Sequence, residues 1–320
     1  MKQASVITLM LLGGARRVSL AEKLKESGRK LGYRVEIISY DLSLEVPVAL
    51  EAIVVKGLKW DDPEVIDDIE KTVDKYQVDI ILPIVNGAVE IASKCRHRLK
   101  DVFIPVSDAE LTTKLFDKSE AAQIFKESGF PIPKKYSVLS AQMPAIAKPR
   151  KGGSSRGIKI FHDIEDLMHL QNLQDYLVQE YIENGTEYTV DAYIDKNGET
   201  LVKVPRRRLE IMGGESTRSL TCRNAILESL TDEVISTLKL RGPVNLQFIY
   251  DPKDDRYLLM EVNPRIGGGA ICSMLAGAPI TDYILLEALD KPVEKCTDWR
   301  AGTLMARYFK EAVFNLESQD

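Results

Sequence analysis

The chain has 320 residues, of which 44% are hydrophobic and 28% charged, and its formal net charge is −5. This length predicts two or three domains with a substantial core, and the acidic balance argues against a nucleic-acid-binding protein, which needs a clustered basic surface. Because the longest apolar run, Val6 to Leu12, is far shorter than the roughly 20 residues that cross a bilayer, we expect no membrane span, a cytoplasmic location and small-molecule partners.

In chain order, residues 1–112 alternate short apolar runs with helical patterns, which is typical of a parallel α/β sheet. Strands are predicted at Val6 to Leu12, Val35 to Ser39, Ala52 to Val55 and Ile80 to Pro83, and Ile104 to Pro105 closes the unit. Helices are predicted at Val18 to Leu31, Pro63 to Tyr76 and Ala88 to Leu99, followed by a charged helix from Glu110 to Ser128. We therefore predict an α/β N-terminal domain that ends near residue 112.

Beyond Gly129 the predicted strands come in hairpins and the helices are few, which indicates an α+β domain. The strands are predicted at Ala145 to Lys148, Ile158 to Phe161, Tyr176 to Tyr181, Tyr188 to Ile194, Thr200 to Val204, Val244 to Tyr250 and Tyr257 to Val262. The helices are predicted at Ile164 to Leu170, Thr231 to Lys239 and Thr281 to Leu289.

The last two strands carry the strongest local signal. If the polar turn between them centres on Asp254, Gln247 lies opposite Glu261 and Asn245 lies opposite Asn263. Because side chains alternate along a strand, all four then share one face. One carboxylate and three amides form a hard-oxygen site that suits Mg²⁺, which takes few protein ligands besides phosphates and water. The competing interpretation is the exposed polar face of an edge hairpin.

A basic, glycine-rich segment, Lys148 to Ile158, lies between two predicted strands. Such a loop is able to fold its backbone amides over phosphates, but it lacks the P-loop pattern, and an ordinary glycine-rich hairpin turn is the alternative. Lys148 and, earlier in the chain, Lys118 supply two point charges for phosphate oxygens, unless each is a solvated surface lysine.

A third segment, Val178 to Tyr188, is an apolar strand that runs into a polar bend and out again. Its backbone edge is suited to reading an adenine. The carboxylates of Glu180 and Glu187 are suited to accept hydrogen bonds from the adenine amine and from the ribose hydroxyls, respectively. By itself the segment is more typical of an exposed turn.

Taken in order, these segments resemble the ATP-grasp superfamily, and most closely the synthetase halves of the large subunit of carbamoyl-phosphate synthase. The resemblance extends from about Lys114 to Ala278 and rests on order and spacing together. It implies a Rossmann-like pre-ATP-grasp α/β domain over residues 1–112. An α+β ATP-grasp domain follows, with a central subdomain that carries the glycine-rich loop over 113–183 and a C-terminal subdomain that carries the metal hairpin over 184–320.

The resemblance also implies the site residues. The positions that correspond to ATP-binding residues are Lys118, Lys148, Gly153, Ser154, Ser155, Gly157, Glu180, Tyr181, Ile182, Glu187 and Gln247. The metal-binding positions, for Mg²⁺ with Mn²⁺ as the alternative ion, are Gln247, Glu261 and Asn263, with Asn245 in support. Arg265 corresponds to the residue that meets the transferred phosphate, and it is the expected catalytic residue together with Lys148.

Three consecutive arginines, Arg206 to Arg208, depart from the carbamoyl-phosphate pattern. Since guanidinium groups pair with carboxylates in a bidentate manner, the run predicts a pocket for an anionic substrate, with a solvated cluster as the alternative. Alternation on a strand would point Arg206 and Arg208 inward. Glu215, which stands where that family has a histidine, is a further predicted substrate contact.

The N-terminal domain offers more candidate substrate contacts at the carboxyl ends of its strands, namely Arg16, Asn86 and Glu90. The stretch after the first strand superficially suggests a dinucleotide fold, but the pattern G-x-G-x-x-G is absent. An NAD-linked oxidoreductase is therefore not favoured.

These observations predict an ATP-grasp ligase that phosphorylates a small carboxylate with Mg-ATP and lets an amine displace the phosphate, with release of ADP. Two alternatives stay open, namely an ATP-grasp enzyme with bicarbonate or a thiol as the acceptor, and a module that binds ATP without turnover. Family analogy also implies a homodimer.

Overall fold

The computed structural model describes residues 5–153 and 156–315, which divide into two compact units. The first unit holds residues 5–106, 279–294 and 307–315, and the second holds the described part of 107–278 together with 295–306. Within the described chain, no helix is both long and apolar enough to cross a membrane.

The strands and helices are numbered in chain order. The strands are β1 Val6–Leu12, β2 Arg34–Asp41, β3 Ile53–Lys56, β4 Ile80–Pro83, β5 Ala145–Pro149, β6 Lys159–Phe161, β7 Tyr176–Glu180, β8 Thr186–Ile194, β9 Thr200–Met212, β10 Glu215–Thr221, β11 Gly242–Asp251, β12 Arg256–Asn263 and β13 Leu304–Ala306. The α-helices are α1 Val18–Leu31, α2 Val65–Tyr76, α3 Asn86–Cys95, α4 Ala109–Phe116, α5 Lys118–Glu127, α6 Ile164–Met168, α7 Ala225–Leu238, α8 Ile271–Leu275 and α9 Ile280–Ala288.

The first unit is built on a parallel sheet with the order β3-β2-β1-β4. The central strand β1 is buried from Ile7 onward, as its mainly apolar sequence, interrupted only by Thr8, predicts. Helix α1 ends at Leu31 and is capped by Gly32, whose φ of 84° lies in the left-handed region that glycine tolerates. The α/β pattern predicted for this part of the chain is therefore present.

Helix α9 belongs to the first unit although it follows the second in sequence. The Ser27 hydroxyl on α1 donates to Thr281 Oγ1 at 2.8 Å, and Lys30 forms an ion pair with Asp282 at 2.6 Å. We predicted a boundary near residue 112 and a single C-terminal subdomain over 184–320. The break between the units lies instead after Val106, and residues 279–294 return to the first unit.

The second unit contains two antiparallel sheets. The smaller has the order β6-β5-β7, and the larger has the order β12-β11-β8-β9-β10-β13. One face of the larger sheet is apolar, with Val190 and Ala192 of β8 and Leu246 and Phe248 of β11 packed against α4, α5 and α7. The opposite face is therefore the one on which polar side chains of these strands lie.

Two parts of the second unit differ from the sequence prediction. The single helix predicted from Glu110 to Ser128 is two helices, because the Asp117 side chain accepts from the amides of Ser119 and Glu120 and so begins α5. The strand predicted to end at Val204 continues to Met212 and pairs with β10, which was not predicted.

Candidate functional site

The hairpin of β11 and β12 has the predicted register at the candidate metal site. Gln247 pairs with Glu261 and Asn245 pairs with Asn263, which confirms the predicted arrangement. Because Leu246 on β11 belongs to the apolar core, its neighbours Asn245 and Gln247 lie on the other face of the sheet.

A β-bulge produces this register. Between the turn and the bulge the strands pair as Phe248 with Leu259 and Tyr250 with Tyr257. That register, continued without a break, would set Gln247 opposite Met260 rather than opposite Glu261. The irregularity after Gln247 makes Met260 the extra residue, so that the carboxylate of Glu261 lies opposite Gln247.

The side-chain oxygens on this face are suitable ligands for a hard divalent cation. Asn263 Oδ1 accepts from Arg265 Nη2 at 3.4 Å, and Gln247 Oε1 accepts from Arg208 Nη1 at 3.3 Å. An amide oxygen has two lone pairs, so each of these long bonds leaves one for a metal ion. The described residues contain no group of three or more His, Cys, Asp and Glu side chains suited to a metal. A site with one carboxylate fits Mg²⁺, which keeps water and phosphate ligands, better than zinc.

Lys148 on β5 is electrostatically connected to the hairpin. Its pKa is lowered mainly by burial, while Glu261 and Glu187 act to raise the pKa and Lys118 lowers it further. Its Nζ donates to Gln179 Oε1 at 3.3 Å, and the buried Gln179 is itself fixed by a bond to the Pro133 carbonyl at 3.1 Å. The charges of Lys118 and of the predicted metal ligand Glu261 thus both act on the pKa of Lys148.

The glycine-rich segment is anchored at its beginning. Arg150 forms a bidentate ion pair with Asp117, with Nε–Oδ1 and Nη2–Oδ2 distances of 3.1 and 2.8 Å. The Lys118 Nζ donates to the Gly152 carbonyl at 2.8 Å. Gly152 and Gly157 have φ angles of 97° and 74°, which favour glycine at these turns.

Three predicted ATP contacts belong to the middle of this segment. Gly153 is exposed, and a Cβ built there would meet nothing within 4 Å. Ser154 and Ser155 lie outside the described residues. Their roles, together with that of Gly157, stay predictions.

The carboxylates predicted to read adenosine already have protein partners. Glu180 Oε1 accepts from the Lys134 amide at 2.8 Å, and both Glu180 oxygens accept from Arg256 Nη2, at 3.3 and 3.2 Å. Glu187 Oε2 accepts from Arg208 Nη1 at 2.6 Å. Tyr181 and Ile182 follow directly after β7, and the Tyr181 amide donates to the Pro144 carbonyl at 3.2 Å. The nucleotide roles of these four residues stay predictions.

The arginine run alternates as expected: Arg207 is exposed, whereas Arg206 and Arg208 point inward. Arg206 is only 2% exposed, and its guanidinium bonds to Asp191 and Ser219. Because Arg206 is nearly fully buried and its guanidinium bonds to protein groups, its placement favours the role of a structural cation over the predicted substrate contact.

Three consecutive glycines after β12 lie against side chains of the site. A Cβ at Gly267 would lie 2.4 Å from Asn245 Nδ2, and one at Gly268 would lie 2.8 Å from the Glu215 carboxylate. A Cβ at Gly269 would lie 2.7 Å from Arg206 Nη1. This close approach explains why the segment lacks side chains, and it places Glu215 against the loop that follows the metal hairpin.

The N-terminal candidates lie in the first unit. Asn86 begins α3 shortly after β4, Glu90 follows one turn later, and Arg16 is exposed in the loop between β1 and α1. They are therefore at the carboxyl ends of parallel strands, as expected, and their contact with a substrate stays a prediction.

Asp191, which was not predicted from the sequence, is the centre of a buried polar network. Its Oδ2 accepts from Arg206 Nε at 2.6 Å and from Ser273 Oγ at 2.6 Å, and its Oδ1 accepts from Asn245 Nδ2 at 2.7 Å. A signal was present, since Glu187, Thr189 and Asp191 alternate with apolar residues along β8 and so mark the polar face.

The chain has an ATP-grasp fold, as its similarity to known proteins shows. A family model described as "ATP-grasp in the biosynthetic pathway with Ter operon" matches residues 172–310. The large chain of carbamoyl phosphate synthase from Buchnera aphidicola is 24% identical over 322 residues, which cover 88% of this chain and 29% of that protein. The chain thus spans less than a third of the length of this relative.

Two solved structures illustrate the fold similarity. The biotin carboxylase domain of Hydrogenobacter thermophilus 2-oxoglutarate carboxylase has a TM-score of 0.73 at 17% identity, covering 92% of this chain and 72% of that one. The L-amino acid ligase of Bacillus licheniformis has a TM-score of 0.67 at 19% identity, covering 90% and 75%. The predicted resemblance to the ATP-grasp superfamily is confirmed, and this chain is similar to the large chain of carbamoyl phosphate synthase.

Proposed function

We propose that the chain is an ATP-grasp ligase that uses Mg-ATP to phosphorylate a small carboxylate and transfers the acyl group to an amine. One observation carries the proposal: the register of the β11–β12 hairpin sets Glu261 beside Gln247 and Asn263 on one sheet face. The charges of Glu261 and Lys118 also act on the pKa of Lys148. A triphosphate needs cations on one side and a metal-binding carboxylate on the other, and these groups supply both.

Electrostatic stabilisation of the transferred phosphate would then supply most of the catalysis. Lys148 and Lys118 would neutralise phosphate oxygens, and Arg265, next to the metal hairpin, would meet the transferred group. Mg²⁺ held by Glu261, Asn263 and Gln247 would polarise the phosphates and spread the developing charge. No covalent protein nucleophile is needed, because the substrate carboxylate attacks the γ-phosphorus directly.

The acyl phosphate formed in this way must be kept from water until the amine attacks. The glycine-rich loop that follows Arg150 would cover it, anchored by the Asp117 ion pair and by the bond from Lys118 to Gly152. In this proposal the first unit is the pre-ATP-grasp domain, and Arg16, Asn86 and Glu90 bind the acceptor substrate.

The names of two structural neighbours favour two classes of substrate, amino acids and bicarbonate. One neighbour is an L-amino acid ligase, and another is a carboxylase domain in complex with MgADP, ADP and bicarbonate. The test is ADP release from Mg-ATP across a panel of amino acids and small carboxylates, with and without amines, and with bicarbonate alone. The mass of the product distinguishes a ligase from a bicarbonate-dependent enzyme, and nucleotide binding without ADP release would indicate a non-catalytic module.

The metal assignment has its own test. Glu261→Ala should lower the Mg-dependent rate by about a hundredfold or more, because a group that stabilises transition-state charge is removed. Asp254→Asn is the matched control, since Asp254 lies in the exposed turn of the same hairpin and should leave the rate unchanged. Full activity in Glu261→Ala would defeat the assignment. Sedimentation or light scattering on the same preparations tests the homodimer that family analogy implies.

A further inference from the structure

Arg208 reaches across four neighbouring strands of the larger sheet. From β9 its Nη1 donates to Glu187 Oε2 on β8 at 2.6 Å and to Gln247 Oε1 on β11 at 3.3 Å. Its Nε donates to Ser216 Oγ on β10 at 3.0 Å, and its Nη2 donates to the Gly214 carbonyl at 2.7 Å. One guanidinium nitrogen therefore joins the residue predicted to accept ribose hydroxyls to a residue predicted to bind the metal.

This bonding leaves little of Arg208 for a substrate. A guanidinium has five N–H groups, and the contacts to Glu187, Gln247, Ser216 and Gly214 use four of them. The side chain is only 7% exposed, and burial lowers its pKa while Glu187 acts in the opposite direction. These bonds favour a role for Arg208 that is exerted through its neighbours over the predicted role as a substrate contact.

We propose that Arg208 is a positioning residue that sets the preference of the site for a ribonucleotide by holding the Glu187 carboxylate in a fixed orientation. The Arg208 bond occupies Oε2 of Glu187, and in the proposed site the other oxygen, Oε1, would accept a hydrogen bond from a sugar hydroxyl. A rigid charged acceptor discriminates strongly against a ligand that lacks the hydroxyl, because the carboxylate is then left without that partner. Through its bond to Gln247, Arg208 also contacts a residue that is predicted to bind the metal. This inference rests on the proposed ATP site.

The test compares the affinity of the full-length protein for Mg-ATP with its affinity for Mg-2′-deoxyATP and Mg-3′-deoxyATP. The unmodified protein should prefer ATP over at least one of the deoxynucleotides by about tenfold, because one charged hydrogen bond is lost. Arg208→Gln should reduce this preference to about twofold, because Glu187 then loses its fixed orientation, and Arg208→Lys should restore part of it.

Arg207→Gln is the matched control, since Arg207 is the adjacent residue on the same strand and is exposed. It should keep the full preference for ATP. Thermal unfolding of each variant shows whether it is folded. If Arg208→Gln does not fold, the comparison rests on Arg208→Lys, which should show an intermediate preference.

The outcomes separate the two proposals. A preference for ATP that is unchanged in Arg208→Gln, or in Arg208→Lys where that variant carries the test, would overturn the role of Arg208 while leaving the nucleotide site intact. The same holds if the unmodified protein binds ATP and both deoxynucleotides equally well. Absence of any Mg-dependent nucleotide binding in the unmodified protein would defeat the proposed function, and the role of Arg208 with it.

Discussion

The carboxylate of Asp191 and the guanidinium of Arg206 form an ion pair with an Nε–Oδ2 distance of 2.6 Å, and both side chains are almost fully buried. A buried pair of this kind is costly to desolvate, so it is retained only where further hydrogen bonds satisfy both groups. Asn245, Ser219 and Ser273 supply those bonds. Because Asn245 lies beside the candidate metal ligands, the pair fixes part of the polar face on which they stand.

Asp191→Asn should therefore destabilise the second unit by about 3–5 kcal/mol, since Arg206 would keep its buried charge without a counter-charge. Chemical denaturation measures the change. Glu210→Gln, at an exposed position of β9, is the control and should shift stability by less than about 0.5 kcal/mol. A loss of under about 1 kcal/mol in Asp191→Asn would mean that Arg206 finds another partner.

Gly267→Ala should affect both stability and metal-dependent binding. Its Cβ would lie 2.4 Å from Asn245 Nδ2, which cannot move away without breaking its bond to Asp191. We expect a loss of about 1–3 kcal/mol from overpacking, together with weaker Mg-dependent ATP affinity measured by calorimetry. For stability, Gly153→Ala is the control, because its Cβ would meet nothing within 4 Å. Parent-like stability in Gly267→Ala would show that Asn245 is not held rigidly.

Local patterns allowed much of this arrangement to be predicted. Alternation of apolar and polar residues gave the strands, and a short turn gave the register that joins Gln247 to Glu261. That register is correct at the site only because of the bulge at Met260, which no pattern in the sequence identified. The division of the helix at Asp117 had a signal, since Asp117 and Glu120 have the spacing of a capping box.

Long-range partners account for what was missed. The charges of Arg206 and Arg208 suggested a substrate pocket or a solvated cluster, but Asp191 and Glu187 neutralise them across neighbouring strands. The return of α9 to the first unit depends on contacts such as that of Ser27 with Thr281, which are 254 positions apart. Neither relationship has a local signature, because each depends on tertiary packing.

The affinity for Mg-ATP should fall as the pH rises in the alkaline range. Burial lowers the pKa of Lys148 below its ordinary value of 10.5, so the folded protein loses this proton at a lower pH than the unfolded chain. Phosphates bind the charged ammonium, and binding therefore weakens as the pH rises through the lowered pKa. Fold stability should change in the opposite direction, rising between the lowered pKa and the unfolded value, because the unfolded chain binds more protons there.

The measurement is the dissociation constant of Mg-ATP between about pH 7 and about pH 10. Lys148→Arg is the comparison, since arginine stays charged throughout this range and should remove most of the pH dependence. If the parent and Lys148→Arg lost affinity equally with rising pH, the titrating group would be another one.

Glu180 is the residue that the sequence suggested as an acceptor for the adenine amine. Its carboxylate instead bonds to the Lys134 amide and to Arg256, at the beginning of β12. If this ion pair is its main role, Glu180→Gln and Arg256→Gln should each destabilise the protein and should not add in the double variant. The coupling should be about 0.5–1 kcal/mol, because Arg256 is 36% exposed and the pair is partly screened.

Denaturation of the four proteins gives the coupling, and ATP titrations give the nucleotide affinity. Zero coupling, with a weaker affinity for ATP in Glu180→Gln alone, would assign the carboxylate to the nucleotide.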